Sequence, residues 1–322
     1  MNAQTIEWLL QGEAWVEYRT RVDLLGQKEK GLKVLAARDA MLADPKIKAL
    51  LTELADWPGE VLNSHRSASQ PFHKLEFIAD IGLNISDAPV KKIVKKVMAH
   101  QSKQGPFQLP TNVPTHFGGS GEDEWAWALC DAPVILASLI QMGMGEDARV
   151  KTAAEYLDGL VRDNGWPCAV SPELGKFRGP GRKDDPCPYA TLVMLQVLAR
   201  VPGLRDGKSA RIGVETLLSL WEKSKEQHPY MFYMGTDFRK LKAPLFWYDI
   251  LHVLDILSLF DFARKDKRFK EMVNVMESKA DADGRFTPES IWTVWKEWDF
   301  GQKKIPSRGL TFYAQRILSR VN

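Results

Sequence analysis

The chain has 322 residues, 44% of them hydrophobic and 26% charged, which is typical of a globular protein with a substantial core. Its 44 basic and 41 acidic residues leave a net charge of +3, so charge gives no indication of nucleic-acid binding. No segment approaches the roughly 18 apolar residues of a membrane span, and the first residues lack the pattern of a secretory signal. Three scattered cysteines do not form a disulfide framework, so we expect a protein of the reducing cytoplasm.

Six short stretches recur along the chain, and each places an aliphatic anchor directly after a polar residue. The anchors are Leu24, Ile81, Leu139, Val197, Ile256 and Ile317. Their spacings of 57, 58, 58, 59 and 61 residues indicate an internal repeat. Residues 1–322 are therefore predicted to form one domain of six repeats.

A second series of helix starts lies between these anchors, in DPKIKALL, DAPVKKIV, DARVKTAA, KSARIGVETLL and DKRFKEMV. Aspartates stand at the N-cap position of four of them, at Asp44, Asp87, Asp147 and Asp266. Each repeat is therefore predicted to be a helix, a loop and a second helix. No segment of the sequence predicts a sheet.

The two helix series differ in their apolar patterns. The first helices, such as VKKIVKKVMAH, have one lysine-rich face, whereas the second helices, such as PVILASLIQMGM, are apolar nearly all round. A helix that is apolar on every face is buried on every face. We therefore expect an all-α (α/α)6 toroid, in which six helical hairpins form two concentric layers. An open solenoid also fits, but six repeats without clear polar end caps favour closure.

This repeat, with its glycine-aromatic turns at Gly105-Pro106-Phe107, Gly165-Trp166 and Gly284-Arg285-Phe286, resembles the prenyltransferase and squalene-oxidase repeat. That repeat builds terpenoid cyclases, protein prenyltransferase β-subunits and stand-alone bacterial members of the same superfamily. The Asp-x-Asp-Asp and Asp-Asp-x-x-Asp motifs of cyclases are missing from the sequence, so a conventional terpene cyclase is not expected.

The resemblance to prenyltransferase β-subunits implies a zinc site made of Asp185, Cys187 and His252. It also implies catalytic roles for Asp249, three residues before the histidine, and for Tyr189. Three protein ligands with an open fourth position are typical of catalytic zinc, which would activate a substrate thiol. The alternative interpretation is structural: Asp185 is a helix cap, Cys187 a small buried side chain and His252 a core histidine.

Three basic loops precede the last three predicted inner helices, in GKFRGPGRK, MGTDFRKLK and FGQKKIPSR. Charges delivered beside helix N-termini favour anions, so we expect a phosphate or carboxylate site there. The residues assigned to it are Arg182, Lys183, Arg239, Lys240, Lys303 and Lys304. The alternative is that these loops are ordinary solvated loops.

Eleven tryptophans are a high count, and Trp125, Trp247 and Trp295 are assigned to binding an isoprenoid chain or a sugar. The alternative for each is a packed core position. Function is accordingly left between a zinc-assisted transferase acting on a diphosphate or thiol, a carbohydrate-active enzyme, and a non-catalytic binder. The carbohydrate-active alternative would pair Glu122, Asp123 or Glu124 with Asp249.

Overall fold

The computed structural model of the chain describes residues 2–179 and 181–321. About half of these residues are helical, and a two-stranded ribbon is the one sheet among them. The protein is therefore mostly helical, as the repeat pattern predicts. No helix in the described part of the chain is long and apolar enough to cross a membrane.

Fourteen α-helices lie within these residues. They are α1 (Ala3–Leu9), α2 (Ala14–Arg19), α3 (Leu32–Ala43), α4 (Pro45–Leu54), α5 (Pro71–Asp80), α6 (Ala88–Val97), α7 (Ala132–Leu139), α8 (Ala148–Asp158), α9 (Pro188–Leu198), α10 (Lys208–Glu222), α11 (Ile250–Leu257), α12 (Asp261–Arg264), α13 (Lys267–Glu277) and α14 (Arg308–Val321). A π-helical turn continues α2 over Thr20–Leu24, and another continues α7 over Ile140–Met144.

The chain divides into two compact units. We call Met1–Leu50 with Met234–Asn322 the terminal unit, and Leu51–Tyr233 the middle unit. In the middle unit α7 contacts α5 and α9, α8 contacts α7 and α9, and α10 packs against α9. In the terminal unit α11 contacts α13 and α14, and α2 contacts α3 and α14.

The predicted contrast between the two helix series is confirmed within each unit. Every residue of α7, α9 and α11 is buried, whereas α6, α8 and α13 bury only one face. The reason is compositional, since an unbroken apolar surface is stable only when other elements cover all of it.

Five of the six repeat anchors are buried, at Ile81, Leu139, Val197, Ile256 and Ile317. Each lies in the last turns of a helix or directly after it, so the period marks equivalent positions. Leu24 is only half-buried, which corrects the expectation of six equivalent anchors. Leu24 ends a π-helical turn, and the extra residue of such a turn rotates the following side chains about the helix axis.

The prediction that the chain contains no sheet is wrong. Strand β1 (Leu109–Asn112) pairs antiparallel with β2 (Asp123–Ala126), and Pro110 lies opposite Trp125. The strands are short, and β1 alternates buried with half-buried residues, a period of two that four residues are too few to reveal.

Candidate active site

The three cysteines of the chain lie together in the middle unit, although the sequence scatters them. Cys187 is the N-cap residue of α9, and the Cys130 thiol, two residues before α7, donates a hydrogen bond to its sulfur. Cys168 is close enough for its charge to act on Cys130, and its sulfur accepts a hydrogen bond from the Gly179 amide at 3.1 Å. All three are free thiols.

A glycine turn fixes the start of α9, where Cys187 lies. The Cys187 amide donates to the Trp166 carbonyl at 2.7 Å, and the Trp166 amide donates to the Thr191 hydroxyl at 3.1 Å. Gly165 makes this approach possible: its φ is 109°, and a Cβ there would lie 3.0 Å from the hydroxyl oxygens of Thr191 and Thr216. The glycine-aromatic turn of the repeat therefore positions Cys187.

The surroundings distinguish the three thiols electrostatically. The hydrogen bond from Cys130 lowers the pKa of Cys187, the backbone amides of Ala190 and Tyr189 lower it further, and burial opposes them. The same hydrogen bond and burial raise the pKa of Cys130 well above its usual range. Burial raises the pKa of Cys168 to about 11. Cys187 is thus the thiol of the three that is disposed to ionise.

Polar groups from earlier in the chain surround this cluster. His65 Nε2 lies 2.7 Å from Asp131 Oδ2, and Asp131, next to Cys130, is 1% exposed. The other Asp131 oxygen accepts a hydrogen bond from the Ala128 amide at 3.1 Å. Asp131 is one of the charges that raise the pKa of Cys130, so it helps to keep that thiol protonated.

A second buried polar group joins α5 to α9. Gln196 Nε2 donates to Glu76 Oε1 at 2.9 Å, while Glu76 Oε2 and Gln196 Oε1 are buried without a hydrogen-bond partner. Glu76 Oε2 lies 3.6 Å from His73 Nδ1. Burial raises the pKa of Tyr189, and the charges of Glu76, Cys130, Asp131 and Cys187 add to it, so Tyr189 belongs to the same cluster.

The segment Pro229–Tyr233 lies against this region. Tyr230 has a φ of 52°, its hydroxyl donates to the Arg182 carbonyl at 3.0 Å, and its ring fills the space that a Cβ on Gly181 would need. Phe232 stacks on Tyr189, with ring centroids 6.5 Å apart. Left-handed backbone at two consecutive non-glycine residues, Tyr230 and Met231, is rare and costs energy, so the surrounding contacts hold this segment in place.

An open pocket of about 890 Å³ lies on the same unit and includes two residues of the predicted sites. Arg182 and Asp185 line it, together with α10 and the segment before Tyr230. Its charged groups are the guanidinium groups of two arginines and four carboxylates, at Arg182, Arg211, Asp163, Asp185, Glu215 and Glu226. Arg182 therefore lies among carboxylates of opposite charge.

The terminal unit contains the second group of predicted residues, at the start of α11. Asp249 Oδ1 accepts from the amides of Leu251 and His252, each at 3.1 Å, and Asp249 Oδ2 is buried without a hydrogen-bond partner. Burial raises the pKa of Asp249, although the nearby charge of Lys242 opposes the shift. His252 Nδ1 donates to the Trp247 carbonyl at 2.9 Å, which leaves Nε2 as the nitrogen with a lone pair.

The predicted tryptophans have different surroundings. Trp125 is half-buried and stacks on His100 at 3.5 Å between centroids, and Trp247 is half-buried. Trp295 is buried against Phe246 and Trp298, at 5.2 Å and 5.5 Å. These contacts are those of a packed aromatic cluster, which was the alternative interpretation for Trp295.

The predicted anion-binding cations are mostly exposed. Lys183, Arg239, Lys303 and Lys304 are exposed, and half-buried Lys240 forms an ion pair with Asp237 at 2.6 Å. Arg182 and Lys183 belong to the middle unit and the other four to the terminal unit. The first basic loop also contains Pro180, which lies outside the described residues. A shared anion site remains a prediction.

The zinc set is likewise divided, with Asp185 and Cys187 in the middle unit and His252 in the terminal unit. Among residues 2–179 and 181–321, no three histidine, cysteine, aspartate or glutamate side chains form a group that could hold a metal ion. The Cys187 sulfur is hydrogen-bonded to Cys130, and Asp185 precedes α9 rather than capping it. Zinc binding by these residues therefore remains a prediction, and the steps described below use only side chains of the chain.

The sequence analysis missed Cys130, Asp131, His65 and Glu76 as site residues. One signal was present: Cys130 and Cys187 are 57 residues apart, within the range of the repeat period. Residues one period apart occupy equivalent positions on adjacent repeats, here the starts of the neighbouring helices α7 and α9. His65 and Glu76 carry no comparable signal.

Comparison with known proteins adds no family to these observations. No protein-family model matches the chain, and no curated protein sequence matches it.

Proposed function

We propose that the protein is a transferase in which the Cys187 thiolate is the nucleophile that accepts and passes on an acyl group. One observation carries the proposal: the Cys187 sulfur, at the start of a buried helix, accepts a hydrogen bond from a second thiol beside two backbone amides. A thiolate, rather than a thiol, is the reactive form of cysteine, and these contacts favour it.

The chemistry of a transferable intermediate selects the acyl group. Attack of the Cys187 sulfur on a carbonyl carbon expels the leaving group with its electron pair and forms a thioester. An acceptor nucleophile can break that thioester again, whereas a thioether formed from an alkyl group is too stable to pass the group on. Tyr189, whose pKa is raised by burial, keeps its proton at neutral pH and serves as a hydrogen-bond donor in the cluster.

A burst experiment with p-nitrophenyl acetate tests this proposal. The wild-type protein is expected to release one equivalent of p-nitrophenolate in a fast phase and to carry one acetyl group on Cys187 in peptide mass spectrometry. Cys187→Ala should lose the burst, and Cys168→Ala, which leaves the Cys130–Cys187 contact intact, should keep it. A burst of equal size in Cys187→Ala, or acetylation of Cys168 instead, would refute the assignment.

The resemblance to prenyltransferase β-subunits supports a second candidate, zinc-assisted transfer of an isoprenoid or alkyl group with Asp185, Cys187 and His252 as ligands. On this candidate zinc would bind and activate a substrate thiol. Metal analysis of protein purified without a histidine tag tests it: about one zinc per chain is expected, with a sharp loss in Cys187→Ser. We also propose that the helical pairs close into the (α/α)6 toroid that the six-fold period predicts.

A third candidate is a carbohydrate-active enzyme, which Asp249 favours. Its buried carboxyl has a raised pKa and one oxygen without a hydrogen-bond partner, two properties of a general acid. Acid catalysis of glycoside hydrolysis needs a second carboxylate at a defined distance. Loss of hydrolysis in Asp249→Asn, on a panel of oligosaccharides, is the result expected of this candidate.

A further inference from the structure

The contact between Cys130 and Cys187 has a consequence beyond acyl transfer. Their thiols are hydrogen-bonded, and Cys168, the chain's third cysteine, lies in the same cluster. A protonated thiol beside a thiolate is the arrangement from which a disulfide forms once one sulfur has been oxidised.

We propose that Cys130 and Cys187 form a redox-active dithiol that small hydroperoxides convert into a disulfide. Both the site and its reagent class, a hydroperoxide, are additional to the proposed function. The inference shares Cys187 with that function but depends only on the contact between the two sulfurs, and not on acyl transfer.

The reaction balances with one peroxide per protein. The Cys187 thiolate attacks one oxygen of ROOH, the O–O bond breaks, and ROH leaves after taking up a proton, which gives a Cys187 sulfenic acid. The Cys130 sulfur then displaces the hydroxyl group, which leaves as water after taking up the Cys130 proton. In sum, two thiols and ROOH give one disulfide, ROH and water, and the two sulfurs supply the two electrons that reduce the peroxide.

The surroundings assign a different role to each sulfur. The amides of Tyr189 and Ala190 and the Cys130 thiol stabilise negative charge on Cys187, which makes it the sulfur that attacks the peroxide. The neighbouring carboxylate of Asp131 and burial disfavour charge on Cys130, so this thiol keeps its proton until the sulfenic acid has formed. Cys130 is thus the resolving cysteine of the pair.

Cys168 is separated from this pair by its own contacts. Its sulfur accepts the Gly179 amide, and Gly179 itself lies against the ring of Tyr230. Burial raises the pKa of Cys168, so it reacts slowly with peroxides. Cys168 therefore supplies a matched control in the same cluster.

Exposure limits the size of the oxidant. Cys187 is only 3% exposed, while Cys130 is half-buried. A reagent must therefore be small to reach the attacking sulfur, and hydrogen peroxide is the simplest probe of this class.

The test is carried out on the full-length reduced protein with hydrogen peroxide. One equivalent is expected to remove two of the three free thiols and to give a Cys130–Cys187 cross-linked peptide in non-reducing mass spectrometry. Dithiothreitol should restore both thiols. A cross-link that includes Cys168, or oxidation without any intramolecular cross-link, would overturn the proposal.

Three serine variants assign the roles, and circular dichroism checks that each retains its helices. Cys168→Ser should form the cross-link at the wild-type rate. Cys187→Ser should lose thiols about tenfold more slowly or worse. Cys130→Ser should stop at a Cys187 sulfenic acid that dimedone traps; rapid cross-linking of Cys187 to Cys168 in this variant would contradict the assignment.

If a variant does not fold, the peptide map of the wild-type protein still decides the proposal. The acyl proposal is measured separately on the reduced protein, so failure of one leaves the other standing. A p-nitrophenolate burst without a Cys130–Cys187 cross-link would remove only the dithiol, and a cross-link without a burst would remove only acyl transfer.

Discussion

Asp249 combines two roles that pull its ionisation in opposite directions. Its Oδ1 caps α11 by accepting two backbone amides, contacts that favour the carboxylate, while burial disfavours the charge and prevails in raising the pKa. Its Oδ2 has no hydrogen-bond partner, so part of the cost of burying the charge is not offset by a contact.

Replacing Asp249 with Asn separates the cap from the charge, because Asn caps helices as well as Asp does. A carboxyl whose folded pKa is raised contributes stability that is present below its unfolded pKa of about 3.9 and is lost as pH rises through the folded pKa. The unfolding free energy of the wild type should therefore fall relative to Asp249→Asn between about pH 4 and pH 7. Urea unfolding of both proteins across that range measures the difference.

Asp266→Asn is the matched control for this experiment. Asp266 caps α13, and hydrogen bonds from the Arg268 side chain lower its pKa. Its contribution is therefore present above the unfolded pKa and is lost as pH falls through the folded pKa, so the wild type should gain on Asp266→Asn as pH rises. Parallel pH profiles for the two variants would contradict the shift assigned to Asp249.

At the scale of the element, the local signals in the sequence were reliable. Side chains of Asp44, Asp147 and Asp266 accept amides in the first turns of α4, α8 and α13, as predicted, because a cap depends only on residues two or three positions away. Asp87 is the N-cap residue of α6, but its side chain accepts from the preceding Asn84 amide. The ribbon β1–β2 was missed because its pairing joins short strands across a glycine-rich loop.

Replacing Asp147 with Ala tests the cap of α8. The Arg149 amide would lose its acceptor at 2.9 Å, and the unfolding free energy should fall by about 1 kcal/mol. Urea unfolding measures the loss. Glu155→Ala, at an exposed position of the same helix, should change it by less than about 0.5 kcal/mol, and an equal loss in both variants would show that the cap is not the cause.

At the scale of the whole molecule, the repeat period identified more of the structure than any motif did. The polar residue before each anchor becomes informative through it: Asp255 and Arg316 precede the anchors of consecutive repeats, 61 residues apart, and form a buried ion pair at 2.9 Å. Cys130 and Cys187 meet in the same way. The period does not predict His65 or Glu76, because their contacts depend on how helices and loops pack.

The period also predicts a quantitative difference between anchors. Ile81 and Ile256, one in each unit, are at most 1% exposed, so replacing either with Ala removes buried methylene groups and leaves a cavity. Each variant should lose about 2–5 kcal/mol of unfolding free energy. Leu24 is half-buried after its π-helical turn, so Leu24→Ala should cost about 1 kcal/mol or less. Chemical denaturation of the three variants compares them, and a Leu24→Ala loss as large as the other two would mean that the first repeat packs its anchor as the others do.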